Sequence, residues 1–271
     1  MSFLSFILTI MASLKKKILV IANILTPIFC FSILSILSRG QGDYNQIFKP
    51  RGIESLIDPI SFTFAIWGPI FLLLFIFLAY QVRGLFKSSY ILSEMKFIDQ
   101  VSVYFILSTI MTSFWYIAWL YRIIWLSTMF MVLYLISLVI GYIRLKINRV
   151  ERSKTEKLVV IAPWSMYTAW ITAATIVSIT TFFVSIGFND PPFLLSDTYW
   201  AVLVLLVALT IYITVLITRN DRIFAGIGIW VLLGILFERL TTSNLIMEII
   251  ITTIIGIIVL SIAIIYQTVR K

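Results

Sequence analysis

Long apolar runs, separated by short polar and mostly basic segments, set the pattern of this chain. A bilayer core ~30 Å thick takes ~20 residues of helix at a rise of ~1.5 Å each. Eight runs reach or approach that length. They are about Ile18 to Leu37, Pro59 to Gln81, Asp99 to Tyr121, Ile123 to Ile143, Leu158 to Gly187, Thr198 to Thr218, Ile223 to Phe237 and Leu245 to Gln267. This pattern predicts an all-α, polytopic membrane protein with about eight transmembrane helices. Residues 1–17 are apolar up to Lys15, Lys16 and Lys17 and too short to span. A signal peptide carries its charges before the apolar stretch, not after it. This segment is expected on the membrane surface, unless Met11 is the true start.

The second run, PISFTFAIWGPIFLLLFIFLAYQ, differs from a plain anchor. Trp67 stands near its middle, whereas Trp usually marks the interface. Pro69 follows, and an interior proline removes a backbone hydrogen bond. A bend near Phe64 to Trp67 is therefore expected. Either the bent helix and its indole form a cavity wall, or Trp67 packs against neighbouring helices. The loop before it, Ser38 to Asp58, is long for a connection, and long loops often carry function.

Composition sharpens the membrane assignment. The chain is 61% hydrophobic and 12% charged, against roughly 25% charged in soluble domains. There is no room for a sizeable soluble domain. The net charge of +9 is gathered at Lys15 to Lys17, Val82 to Ile98, Arg144 to Lys157, Arg219 with Arg222, and Arg270 with Lys271. With eight spans these segments fall on one side, and cytoplasmic segments carry such an excess. Both termini are predicted to be cytoplasmic. Charge placed this way reports topology, so nucleic acid is not expected as a partner.

Candidate chemistry is sparse. There is no histidine, which removes the commonest general base and the commonest metal and haem ligand. The single cysteine, Cys30, allows neither an internal disulfide nor a thiolate cluster. No phosphate-binding loop, nucleophile elbow or zinc-protease motif occurs. No catalytic residue, metal site or cofactor is expected.

What stands out is tryptophan, at eight positions. Trp115 and Trp119 are spaced i, i+4 and share a helix face, with Thr112 three residues before Trp115. Tyr167, Trp170 and Ala174 recur at i, i+3, i+7 on the fifth run. Trp164 and Trp200 lie near run ends and read as interfacial anchors. Trp67, Trp115, Trp119 and Trp170 lie deeper. Deep aromatics on separate helices form either a stacking pocket for a flat apolar ligand or ordinary aromatic packing.

FTFAIWGPIFLLL and APWSMYTAWITAAT resemble the TspO/MBR (translocator protein, tryptophan-rich sensory protein) family, and more closely its longer bacterial branch with extra C-terminal helices. Pro59, Phe64, Trp67 and Pro69 match the family's second helix. Trp115 matches the third, with Thr112 where the family has Asn. Pro163, Trp170 and Ala174 match the fifth, with Ser178 in place of a later Asn. The resemblance covers about Ile18 to Gly187. It implies a five-helix core over residues 18–187, roofed by the first loop, preceded by the surface segment 1–17. Three additional helices then occupy residues 188–271.

The resemblance also implies a ligand, since family members bind tetrapyrroles such as protoporphyrin IX, and cholesterol in some cases. The expected ligand-binding residues are Phe64, Trp67, Thr112, Trp115, Trp119, Tyr167, Trp170 and Ala174. The function expected is that of a non-catalytic receptor or sensor in the bacterial cell membrane. Its ligand would be flat and hydrophobic, tetrapyrrole- or sterol-like, with a porphyrin or bilin as ligand rather than cofactor. The expected partners are the bilayer and this small molecule, with room for a homodimer. The alternative is a transporter or permease subunit for a small hydrophobic molecule, although that class usually shows intramembrane charge and an internal repeat. An enzyme acting on a bound pigment is a third reading, which nothing in the sequence demands.

Overall fold

A computed structural model describes residues 3–40, 54–86, 92, 95–243 and 245–270, and no strand occurs among them. The chain order is α1 (Phe3–Leu37), a 3₁₀ turn (Ser61–Ile66), α2 (Trp67–Val82), α3 (Lys96–Leu120), α4 (Ile124–Arg144), α5 (Ala162–Ser185), α6 (Asp197–Arg219), α7 (Arg222–Thr241) and α8 (Met247–Val269). Among the described residues, eight helical stretches are long and apolar enough to cross a membrane, and the protein is an integral membrane protein. With no water in the bilayer core, each backbone N–H must find its carbonyl within the helix, so this pattern leaves helices as the outcome.

Local chemistry explains the helix ends. After α3, Arg122 takes a left-handed φ of 58°. Its N–H bonds Trp119 O at 3.0 Å, and Ile123 N–H bonds Ala118 O at 2.9 Å. This Schellman pair satisfies carbonyls that the helix end would leave open, and it turns the chain straight into α4. Asn220 ends α6 with φ 49°, a conformation that Asn tolerates. Asp221 then caps α7, its carboxylate accepting from Phe224 N–H at 3.0 Å.

α1 runs unbroken from Phe3 through Lys15, Lys16 and Lys17, with no boundary at residue 17. The reason is that Lys16 turns inward. Its ammonium donates to the carbonyls of Leu92 and Met95 and pairs with Asp99 at 3.2 Å. A buried charge persists when it is paired and hydrogen-bonded in this way. Asn23, two turns further on the same face, donates to Gln81 on α2 at 2.8 Å and to Ser102 on α3 at 2.9 Å. This triad ties the first three helices together.

The expected bend at Phe64 to Trp67 takes the form of a change in helix type. Residues Ser61–Ile66 wind as 3₁₀, and the α-helix proper starts at Trp67. Pro69 is the third residue of α2, but the winding is continuous from Ser61, so it lies inside the second span and removes a backbone donor just past the junction of the two helix types.

Trp164 corrects a second expectation. It is no interfacial anchor: it is fully buried. Its indole N–H donates to Leu138 O at 3.1 Å, and the ring lies over Gly141 of α4. A Cβ at Gly141 would stand 2.2 Å from Trp164 Cζ2, so glycine there opens the slot that takes the ring inward. Such close approach of a large ring to a small residue is how membrane helices gain packing. Trp200 remains at a helix end, donating to Phe193 O at 3.2 Å.

α3 packs on α4, α4 on α5 and α1 on α3, while α6, α7 and α8 pack on one another. α7 links the two groups by lying against α5 and the 3₁₀ turn. Its cap residue extends that link, since Asp221 also accepts from Tyr142 of α4 at 2.7 Å and Ser165 of α5 at 2.6 Å.

Candidate ligand cavity

Trp67, the first residue of α2, points toward α5 and meets the edge of Trp170 at a centroid distance of 6.1 Å and an interplanar angle of 81°. Phe64, on the 3₁₀ turn, meets Trp170 from another side at 5.6 Å and 85°. Tyr167 lies one turn before Trp170 and approaches Trp67 at 6.3 Å. These edge-to-face contacts suit the ring quadrupoles and fix the rings relative to one another.

They form one wall of a cavity of about 840 Å³ within the first five helices. Pockets for small hydrophobic molecules usually measure ~300–1,000 Å³. All eight side chains singled out in the sequence line it: Phe64, Trp67, Thr112, Trp115, Trp119, Tyr167, Trp170 and Ala174. α3 supplies Thr112, Trp115 and Trp119 from one face, and the Schellman turn just beyond holds Trp119 at the cavity's end. Trp67 and Trp115 are half-buried, whereas Trp119 and Trp170 are buried.

Polar groups in the wall are few. Tyr134 of α4 donates its hydroxyl to Tyr167, and Thr112 and Ser108 of α3 hydrogen-bond this pair from the other side. Ser178, like Thr112, faces the cavity where the resemblance would put an amide. Both positions therefore present a short hydroxyl, and the ring faces dominate the surface. Trp170 keeps its indole N–H buried with no acceptor among the described residues.

Sequence reasoning missed several lining residues. Met131 and Tyr134 of α4 recur with Leu138 at i, i+3, i+7, a signal that was there to be read. Phe31, Leu34 and Ser35 of α1 lie in an apolar run with nothing to mark them. Val231 of α7 lines the cavity too, so the wall is not made by the first five helices alone. The expected roof, Ser38 to Asp58, falls largely at 41–53, outside the described residues. Of its ends, Ser38, Glu54 and Asp58 reach the cavity edge.

No curated protein and no solved structure matches the chain. A family model described as TSPO-like protein matches residues 17–266, from the middle of α1 to the last turn of α8. That match runs past residue 187 and takes in the three C-terminal helices as well as the first five. With the motifs on α2, α3 and α5 and the helical bundle that carries them, the chain belongs to the TSPO-like protein family.

Proposed function

We propose that the protein is a non-catalytic membrane receptor or sensor that holds a flat hydrophobic ligand, tetrapyrrole- or sterol-like, in this cavity. The observation that carries the reading is the cavity wall itself. Four indoles from three helices line about 840 Å³. A ligand with an extended ring face fits such a wall. No histidine faces the ligand, so a metal at its centre would be held without an imidazole. No histidine stands among the hydroxyls of the wall, which favours binding over chemistry.

Titration of the purified protein in detergent with protoporphyrin IX tests this reading. Saturable quenching of tryptophan emission is expected. Base–aromatic stacking is worth ~1–3 kcal/mol per ring in nucleic-acid proteins, and a tetrapyrrole face should gain on that scale. Trp67→Phe and Trp170→Phe should therefore each weaken binding by about tenfold. Trp200→Phe, outside the cavity, should leave it unchanged. Equal losses in all three would mean partition into the micelle and would remove the proposal.

The reading places the protein in the bacterial cell membrane with both termini in the cytoplasm, supported by the basic residues of alternate loops. Reporter fusions after Lys157 and after Asp197 should register opposite sides, with Lys157 cytoplasmic. Two reporters on one side would overturn this orientation.

A further inference from the structure

α7 is the most buried of the eight spans, and its middle is bonded to the start of the second span. Trp230 Nε1 donates to Thr63 O at 2.8 Å, and Ile60 N–H donates to Gly234 O at 3.1 Å. These bonds join residues more than 160 positions apart. Phe62 packs edge-on against Trp230 at 5.5 Å and Phe237 at 5.8 Å. Between them Thr63, fully buried, sits on the bare backbone of Gly234. A Cβ at Gly234 would stand 2.1 Å from Thr63 Oγ1 and 2.8 Å from Thr63 Cγ2. A β-branched side chain is stiff at χ1, so Thr63 cannot swing aside without moving the turn.

Thr63 and Phe64 are neighbours on a 3₁₀ turn, where successive side chains point about 120° apart. Thr63 faces α7, and Phe64 faces Trp170 and the cavity. The seat of the turn on α7 thus sets how far the Phe64 ring reaches into the cavity. Val231, one residue after Trp230, adds to the wall directly.

We propose that α7 determines the width of the cavity, with Trp230 and Gly234 as positioning residues that seat the Ser61–Ile66 turn and so select which ligands fit. The inference rests on the ligand-pocket reading for its biological meaning. Its structural content stands apart from that reading and is tested without ligand.

The test places one cysteine in the cavity, Ala174→Cys, in the full chain with Cys30→Ser. The readout is its alkylation rate by a maleimide in detergent. Gly234→Ala pushes the turn off α7 and drives Phe64 inward, so labelling should slow by about tenfold. Trp230→Phe keeps a ring against Phe62 but removes the N–H tether, which lets the turn move off α7 in the same sense, so labelling should slow by less than with Gly234→Ala. Gly226→Ala, on the same helix with open space at its Cβ, should change nothing. Adding Thr63→Ala to Gly234→Ala removes the closest contacts and should restore the rate.

General loosening would speed labelling, so slower labelling in both variants, with the Gly234→Ala loss reversed by Thr63→Ala, is the signature. Faster labelling in either, no change with Gly234→Ala, or a Gly226→Ala effect as large as that of Gly234→Ala would overturn the inference. Protoporphyrin IX affinity, measured on the same variants without the cavity cysteine, should fall with Gly234→Ala. A parent protein that fails to bind it would defeat the receptor reading, while the labelling rates would still decide the role of α7.

Discussion

Trp164→Ala should lower stability by roughly 3–5 kcal/mol, the range for emptying a buried tryptophan site. The indole is fully buried, its N–H is bonded to Leu138 O, and its ring fills the slot over Gly141 while meeting Phe77 edge-on at 6.1 Å. In a bilayer the gain from leaving water is smaller, but the emptied space still has no lipid to fill it, and packing is what holds membrane helices together. The reverse change is informative. Gly141→Ala overfills the slot and should cost about 1–3 kcal/mol, because the added Cβ would stand 2.2 Å from the ring. Melting curves in detergent, followed by helical circular dichroism, should fall for both. An unaltered midpoint for Trp164→Ala would mean that the ring does not fill the slot. The double variant should melt above the sum of the single losses, since each change relieves part of the other.

Asp221→Ala should be at least as costly. Its carboxylate accepts three bonds at once, from Tyr142 Oη, Ser165 Oγ and Phe224 N. Removing it strips α7 of its cap, worth ~1 kcal/mol, and leaves two buried hydroxyls without their acceptor at ~1–3 kcal/mol each. The expected loss is about 3–7 kcal/mol on these figures. Asp221→Asn keeps one acceptor oxygen and the same shape, and should recover about half of it. Because Tyr142 and Ser165 belong to α4 and α5, loss of this anchor should also expose the turn at 219–222 to protease before the helices melt. A melt and a cleavage pattern like those of the parent would show that the carboxylate does not anchor α7.

The spans were legible because membrane insertion depends on summed hydropathy, a property each segment carries by itself. Trp67, Trp115, Trp119 and Trp170 were legible through the family resemblance and helical spacing, and they share one cavity. What escaped depends on a second body. The burial of Trp164 follows from a glycine 23 residues earlier, and nothing near position 164 announces it. Asp221 stands in a short polar stretch between Arg219 and Arg222, and nothing there marks it as an anchor, because its partners lie 79 and 56 residues away. The inward turn of Lys16 needed carbonyls at Leu92 and Met95 that no local pattern could foretell. Pro69 was legible as a proline within the second span, but the form of the break, a change from 3₁₀ to α winding at Trp67, was not, because a proline says only that a donor is missing.

The wide sequence gaps within the polar contacts impose an order on biogenesis. Asn23 enters the membrane first, yet its acceptors Gln81 and Ser102 are synthesised 58 and 79 residues later. Until then its amide has no intrahelical partner for its side chain, so α1 cannot settle in lipid as a finished unit. Three helices must be delivered before the first is satisfied. The hydrogen bond from Trp230 to Thr63 waits longer still, for 167 residues of translation. The cavity is therefore among the last parts of the protein to take its final form, and a ribosome stalled before α7 would leave a nascent chain with its aromatic wall in place and one side unsealed.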